Sequence, residues 1–161
     1  VKALTVQQPW AWAIVHGGKT VENRTQLWKY RGPLAIHAGS RLSQRGQRAV
    51  PNLLGLQDRE AYDPGDLVTG AFIGVTRLVD VHPAEVLEHP HDDDAAVATC
   101  CDSSWAEVTY QEASGRTRYQ VVHLVLEDAT PITPIPSPGR LGLWTPSPHV
   151  LAQLELSGAR P

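Results

Sequence analysis

Residues 17–25 read GGKTVENRT, and the assignment of this chain turns on them. Two glycines stop a preceding helix, and an extended segment follows. Side chains of an extended segment alternate between faces. Val21 and Asn23 then share one face, and Thr20, Glu22 and Arg24 share the other. Lys19 stands at the glycine hinge and can turn to either side. Glu22 and Arg24 are placed to pair, with Lys19 as a second cation beside them. On an open surface such a pair contributes only about 0–1 kcal/mol. Within a cleft it holds a cation in a defined position.

Working back, residues 3–6 form a short first strand, and Gln7-Gln8-Pro9 opens a helix with proline at the tolerated first turn. Trp10, Ala13 and Ile14 fall on one helical face, with Trp12 and His16 nearly opposite. One indole is expected in the core. The other belongs either to the surface or to a pocket wall. Gly17-Gly18 ends the helix as a left-handed cap does.

Working forward, Gly32-Pro33 marks a turn, and residues 34–38 form an apolar strand that ends at Gly39-Ser40-Arg41. Arg41, Arg45 and Arg48 follow at spacings of four and three, which predicts a helix with one cationic side. That side reads either as a solvated face or as a ridge that tracks phosphates. Residues 51–65 read as an irregular connection. Residues 66–81 form a long apolar strand, with Gly70 and Gly74 marking the bends of a small barrel. A short helix is expected at 83–87, an exposed polar loop at 89–94, and a strand buried on both faces at 119–126. Four prolines in 129–139 predict a polyproline-like strap. A short strand at 141–144 comes next. Ser147-Pro148 then caps a closing helix with the apolar stripe Val150, Leu151 and Leu154, ended by Gly158. These elements predict a single α+β domain over 1–161: a small, closed or partly closed barrel of five or six strands with three or four helices.

Apolar residues make up 42% of the chain and charged residues 19%, the balance of a globular protein. No apolar run is long enough to cross a bilayer, and no basic-then-apolar leader precedes the first strand. The two cysteines, Cys100 and Cys101, are adjacent and do not form a disulfide framework. A cytoplasmic setting without membrane contact is expected. The net charge of −3 argues against a nucleic-acid partner, but its distribution argues for one. Residues 1–60 carry nine lysines and arginines against three acidic residues, and the remainder carries five against fourteen. One basic and one acidic surface are expected.

His82, His89, His91, Asp92 to Asp94 and Cys100-Cys101 lie within twenty positions of one another. Zinc sites pair ligands at tighter recurring spacings, and adjacent cysteines are awkward to aim at one ion. No metal and no cofactor is expected. No nucleophile elbow, phosphate-cradling glycine loop or dinucleotide fingerprint is present.

Five ordered blocks carry a resemblance: QQPWAWAIVHGGKTVENRT, YRGPLAIHAGS, GAFIGVTRLVDV, VVHLVLED and GRLGLW. Together they resemble the ASCH domain family, within the PUA-like superfamily of small RNA-associated β-barrels. The family hallmark G-x-K-x-x-E-x-R is matched by Gly17, Lys19, Glu22 and Arg24. The resemblance implies a barrel with helices around it and a cleft near Lys19 for nucleic acid or a modified nucleobase. The residues suit that task. Lys19 is a compact cation for phosphate, and Arg24 can grip phosphate or Glu22 in two-pronged fashion. Trp10 or Trp12 can stack a base. Gln8 can read a base edge or simply cap the helix. His37, near Ser40 and Arg41, points into the same cleft or sits in the core. Arg45 extends the phosphate contacts.

One branch of the family removes an acyl group from a modified cytidine with a lysine, a threonine three positions later and a distant glutamate. Here Lys19 matches, but Glu22 stands three positions later. The expected function is therefore binding of nucleic acid, RNA before DNA, or of a nucleotide-like molecule. The alternative is metal-independent hydrolysis of RNA or an acylated nucleoside, with Lys19 and Glu22 as the catalytic residues. A third reading is a protein-interaction module using the proline strap and the acidic second half.

Overall fold

The computed structural model describes residues 1–55, 65, 67–85, 100–111 and 114–157. Strand β1 (Lys2–Gln8) leads into helix α1 (Trp10–His16), then β2 (Val21–Arg24) and β3 (Gly32–Leu42). Helix α2 (Gln44–Leu53) precedes β4 (Ala71–Pro83). A small hairpin, β5 (Tyr110–Gln111) and β6 (Thr117–Arg118), stands before the long β7 (Val122–Pro136). The described chain closes with β8 (Leu143–Trp144) and α3 (Pro148–Leu156). Six strands form one sheet in the order β2-β7-β4-β3-β1-β8. The β1–β3 pair is parallel and its other pairs are antiparallel.

Strand alternation gives the sheet two apolar faces. Leu4, Val6, Leu34, Ile36 and Ala38 pack on one side with Trp10, Ala11 and Ile14 of α1 and Val50 of α2. Ala3, Ala35, Phe72, Val75 and Trp144 pack on the other with Val150 and Leu154 of α3. Register shifts in β4, at Phe72/Gly74, Val75/Arg77 and Leu78/Asp80 against β7, bend the sheet. Gly74 is needed where α1 approaches β4: a Cβ there would stand 2.6 Å from Val15 Cγ2 and 2.9 Å from the Thr130 carbonyl oxygen. The sheet curls into a half-barrel with three helices among the described residues, the α+β small barrel expected. Arg24 on β2 crosses to β1 and donates from Nη2 to the Thr5 carbonyl at 2.9 Å.

Several local expectations need correction. Arg41 lies on β3 and not on the helix, which starts only at Gln44 behind the Ser43 cap; the Ser43 hydroxyl accepts from the Gly46 amide at 3.0 Å. The helix then runs through Pro51 to Leu53, into the stretch read as irregular. Residues 129–136 are not a free strap but the second half of β7, paired to β4 from Thr130↔Val75 to Pro136↔Ala71. Proline is tolerated there because β2 pairs only with Val122–Val125, so among the described residues the outer margin of β7 has no ladder to break. Tyr119 is exposed, and β7 starts at Val122. The closing helix has its expected Ser147 cap, with Val150 and Leu154 buried. The helix expected at 83–87, the loop at 89–94 and Gly158 fall wholly or partly outside the described residues.

Candidate nucleic-acid interface

Gly18, at φ +67°, turns the chain after α1 as only glycine does readily. The Lys19 amide returns to the Ala13 carbonyl at 2.9 Å, fixing the turn. Its side chain points inward and is 2% exposed. The ammonium donates to the Val21 carbonyl and lies 3.3 Å from Glu22 Oε2. It sits 5.5 Å from the ring centres of both Trp10 and Trp105. Burial pushes the Lys19 pKa below its ordinary value, and the Glu22 carboxylate opposes that fall.

The second carboxylate oxygen of Glu22 lies 3.1 Å from Arg24 Nε. That contact is ionic rather than an aligned hydrogen bond, since Arg24 Nε makes none among the described residues. Glu22 therefore joins a buried ammonium to the guanidinium of Arg24, a side chain that is 28% exposed. The alternation read from the sequence places these groups. Val21 enters the core, Asn23 turns to the 103–107 segment, and Glu22 and Arg24 share a side.

The 103–107 segment walls the cluster. Ser103 and Thr20 meet through their hydroxyls at 3.2 Å. The Asn23 amide donates to the Trp105 carbonyl at 2.8 Å and accepts from the Glu107 amide at 3.1 Å. Arg45 of α2 donates from Nη1 to both oxygens of Glu107, at 2.8 and 2.9 Å. Its guanidinium carbon lies 4.9 Å from the Trp10 ring centre. Trp10 donates from Nε1 to the Ser43 hydroxyl at 3.1 Å and packs against Gly46.

The structure thus brings together Trp10, Lys19, Glu22, Arg24 and Arg45. Gln8 is committed elsewhere: its Oε1 accepts from the Trp12 amide at 2.9 Å and its Nε2 donates to the Val68 carbonyl at 2.7 Å. It caps α1 and ties down the strand connection. His37 lies on the opposite face of the sheet, edge-on to Phe72 and Trp144, and its Nε2 donates to the Ser137 carbonyl at 2.7 Å. Ser40 and Arg41 are exposed at the end of β3. Trp12 is half-buried beside His16. Trp105 and Glu107, which complete the site, had no motif to flag them. An indole at Trp105 in an otherwise polar stretch was the only signal.

The objection to adjacent cysteines as partners in one cluster does not hold. His82 and His123 are directly paired on β4 and β7, and the sulfurs of Cys100 and Cys101 reach the same point between them. His89, His91 and Asp92 to Asp94 lie outside the described residues.

A family model for the ASCH domain matches residues 4–128. This chain belongs to the ASCH domain family. No curated protein matches the sequence. Solved structures of the ASCH protein from Zymomonas mobilis are similar in fold. One, with 17% identity, has a TM-score of 0.52 over 97% of this chain and 94% of that one. Two mutants of the same protein, 16% and 15% identical, give TM-scores of 0.55 and 0.53; each covers 97% of this chain, and 97% and 95% of the other. In this ASCH domain the G-x-K-x-x-E-x-R segment is the turn after α1 together with β2. Among the described residues, no helix is long and apolar enough to cross a membrane.

Proposed function

We propose that this ASCH domain binds RNA along the rim formed by β2, the end of β3 and the start of α2. The supporting observation is the pair of partly exposed guanidinium groups, Arg24 and Arg45, that flank the enclosed Lys19–Glu22 pair. Arg41 and Arg48, both exposed, extend the same run of positive charge. Guanidinium groups suit phosphate because their donors match its oxygens in pairs. Lys19 is a positioning residue in this reading. It holds the Glu22 carboxylate, which in turn holds Arg24. Trp10 is 9% exposed with Arg45 over it, so it supports the rim rather than offering an open stacking face.

The test is a titration of a fluorescent single-stranded RNA at several salt concentrations. Affinity falls steeply with added salt, because each phosphate contact releases counterions. Charge removal at Arg41 and Arg48 together flattens that slope. Affinity independent of salt, or an unchanged slope in that double variant, rules out this rim.

A second reading, hydrolysis of an acylated nucleoside or of RNA, draws on one observation. A lysine with a burial-depressed pKa beside a carboxylate is a form in which lysine serves as a base. Incubation with N-acylated cytidine and with RNA checks it; no release above buffer retires it.

A further inference from the structure

We propose that His82, Cys100, Cys101 and His123 form a structural zinc site. One donor atom from each lies within 4.8 Å of every other. His82 Nε2 stands 3.1 Å from Cys101 Sγ, and His123 Nδ1 stands 3.3 Å from Cys100 Sγ and 3.4 Å from Cys101 Sγ. A tetrahedral zinc with bonds of about 2.0–2.3 Å sets donor atoms about 3.3–3.8 Å apart. These three separations are close to that and the others stay within 4.8 Å, so a modest adjustment of the side chains seats the ion. Two thiolates and two imidazoles are a donor set that selects zinc over harder cations.

The orientation of both imidazoles carries the inference furthest. His82 Nδ1 lies 2.6 Å from Asp80 Oδ2, and Asp80 is itself held by Arg31 Nη2 at 3.1 Å. His123 Nε2 lies 2.7 Å from the Glu107 carbonyl oxygen. Each outer nitrogen faces an acceptor and so carries the proton. Each inner nitrogen is therefore the one with the lone pair, aimed at the sulfurs. A fixed outer N–H is what orients metal-bound histidines. The Glu85 amide meets Cys100 Sγ at 3.3 Å, a donor suited to a thiolate.

Four protein donors leave no open position, so the site is structural rather than catalytic. On binding, Zn²⁺ displaces the two thiol protons to solvent, and the centre becomes neutral. It joins β4 and β7 to the segment that carries Trp105 and Glu107. The ion thereby fastens the wall of the Lys19 cluster to the sheet.

The chain, purified under reducing conditions, is expected to contain one zinc per molecule by elemental analysis. After removal of zinc, Co²⁺ is expected to give the intense visible bands of a tetrahedral site with thiolate charge transfer. Both thiols resist a disulfide reagent in the zinc form and react after chelation. Cys101→Ser and His123→Gln each abolish stoichiometric zinc, while His149→Gln retains it. Should those variants fail to fold, the cobalt spectrum of the unaltered chain decides alone. Absence of retained zinc together with no tetrahedral cobalt spectrum overturns the site. A spectrum with only one thiolate overturns the four-ligand assignment.

Discussion

Arg24 and Thr5 are nineteen residues apart, yet the guanidinium of one donates to the carbonyl of the other at 2.9 Å. The bond spans from β2, at one end of the six-strand order, to β1 near the other. The same side chain contacts Glu22. Arg24→Ala removes a charge-assisted hydrogen bond and one partner of a buried carboxylate, at an expected cost of about 1.5–3 kcal/mol. Arg24→Lys recovers only part of this, because an ammonium cannot serve both directions with a planar fork. Urea denaturation of the three proteins gives the ranking. An alanine variant as stable as the parent would show that the seam closes without this bond.

Glu22→Gln leaves the Lys19 ammonium buried without its counter-charge. Breaking a buried pair in this way costs about 3–5 kcal/mol. Lys19→Met costs less, since Arg24 still faces Glu22. In the double variant the two losses are less than additive, and the coupling measures the pair. Additive costs in a double-mutant cycle would mean that the 3.3 Å contact carries no energy.

His37 contributes to the response to acid. Burial lowers its pKa, although its bond to the Ser137 carbonyl opposes the shift. Among the described residues its buried Nδ1 has no hydrogen-bond partner. The folded-state pKa lies below the unfolded value of about 6.5. Below that value the unfolded chain binds more protons, so stability falls as pH falls toward the folded pKa and is fully present above about 6.5. His37→Gln keeps a donor for Ser137 and does not titrate. The loss of melting temperature between neutral and mildly acid pH is expected to be smaller in this variant. Parallel pH profiles for the two proteins would remove His37 from the account.

Gly46 in the first turn of α2 gives the fourth test. Alanine is the better helix former by about 1 kcal/mol. Its Cβ, however, would stand 2.8 Å from Trp10 Nε1 and 2.9 Å from the Pro9 ring. Overpacking of this kind costs about 1–3 kcal/mol, so the clash outweighs the propensity. Gly46→Ala lowers the denaturation midpoint and blue-shifts or broadens tryptophan emission; a stabilised variant would mean that the indole moves aside at little cost.

Periodicity made much of this architecture readable. Alternation around Val21 to Arg24 placed the ion pair, and the spacing of Trp10, Ala13 and Ile14 placed α1 on the sheet. Prolines misled at 129–136, because proline excludes only a strand with neighbours on both sides, and β7 has lost one there. Gln8 and His37 sit near the hallmark in sequence, but their side chains answer local demands: an uncapped helix start, and an aromatic pocket on the far face. Trp105, Glu107 and the His82–His123 pair depend on strand register across forty or more residues. Short-range spacing carries no such information.

The proline-bearing half of β7 has a consequence for how copies of this chain meet. Beyond Val125 its outer margin has no strand beside it among the described residues, and Pro131, Pro134 and Pro136 offer no amide hydrogen to an incoming chain. The opposite margin, β8, is only two residues long. Neither the proline-bearing half of β7 nor the short β8 is a template for edge-to-edge addition. Along these two margins, crowded copies meet through side chains rather than by backbone pairing.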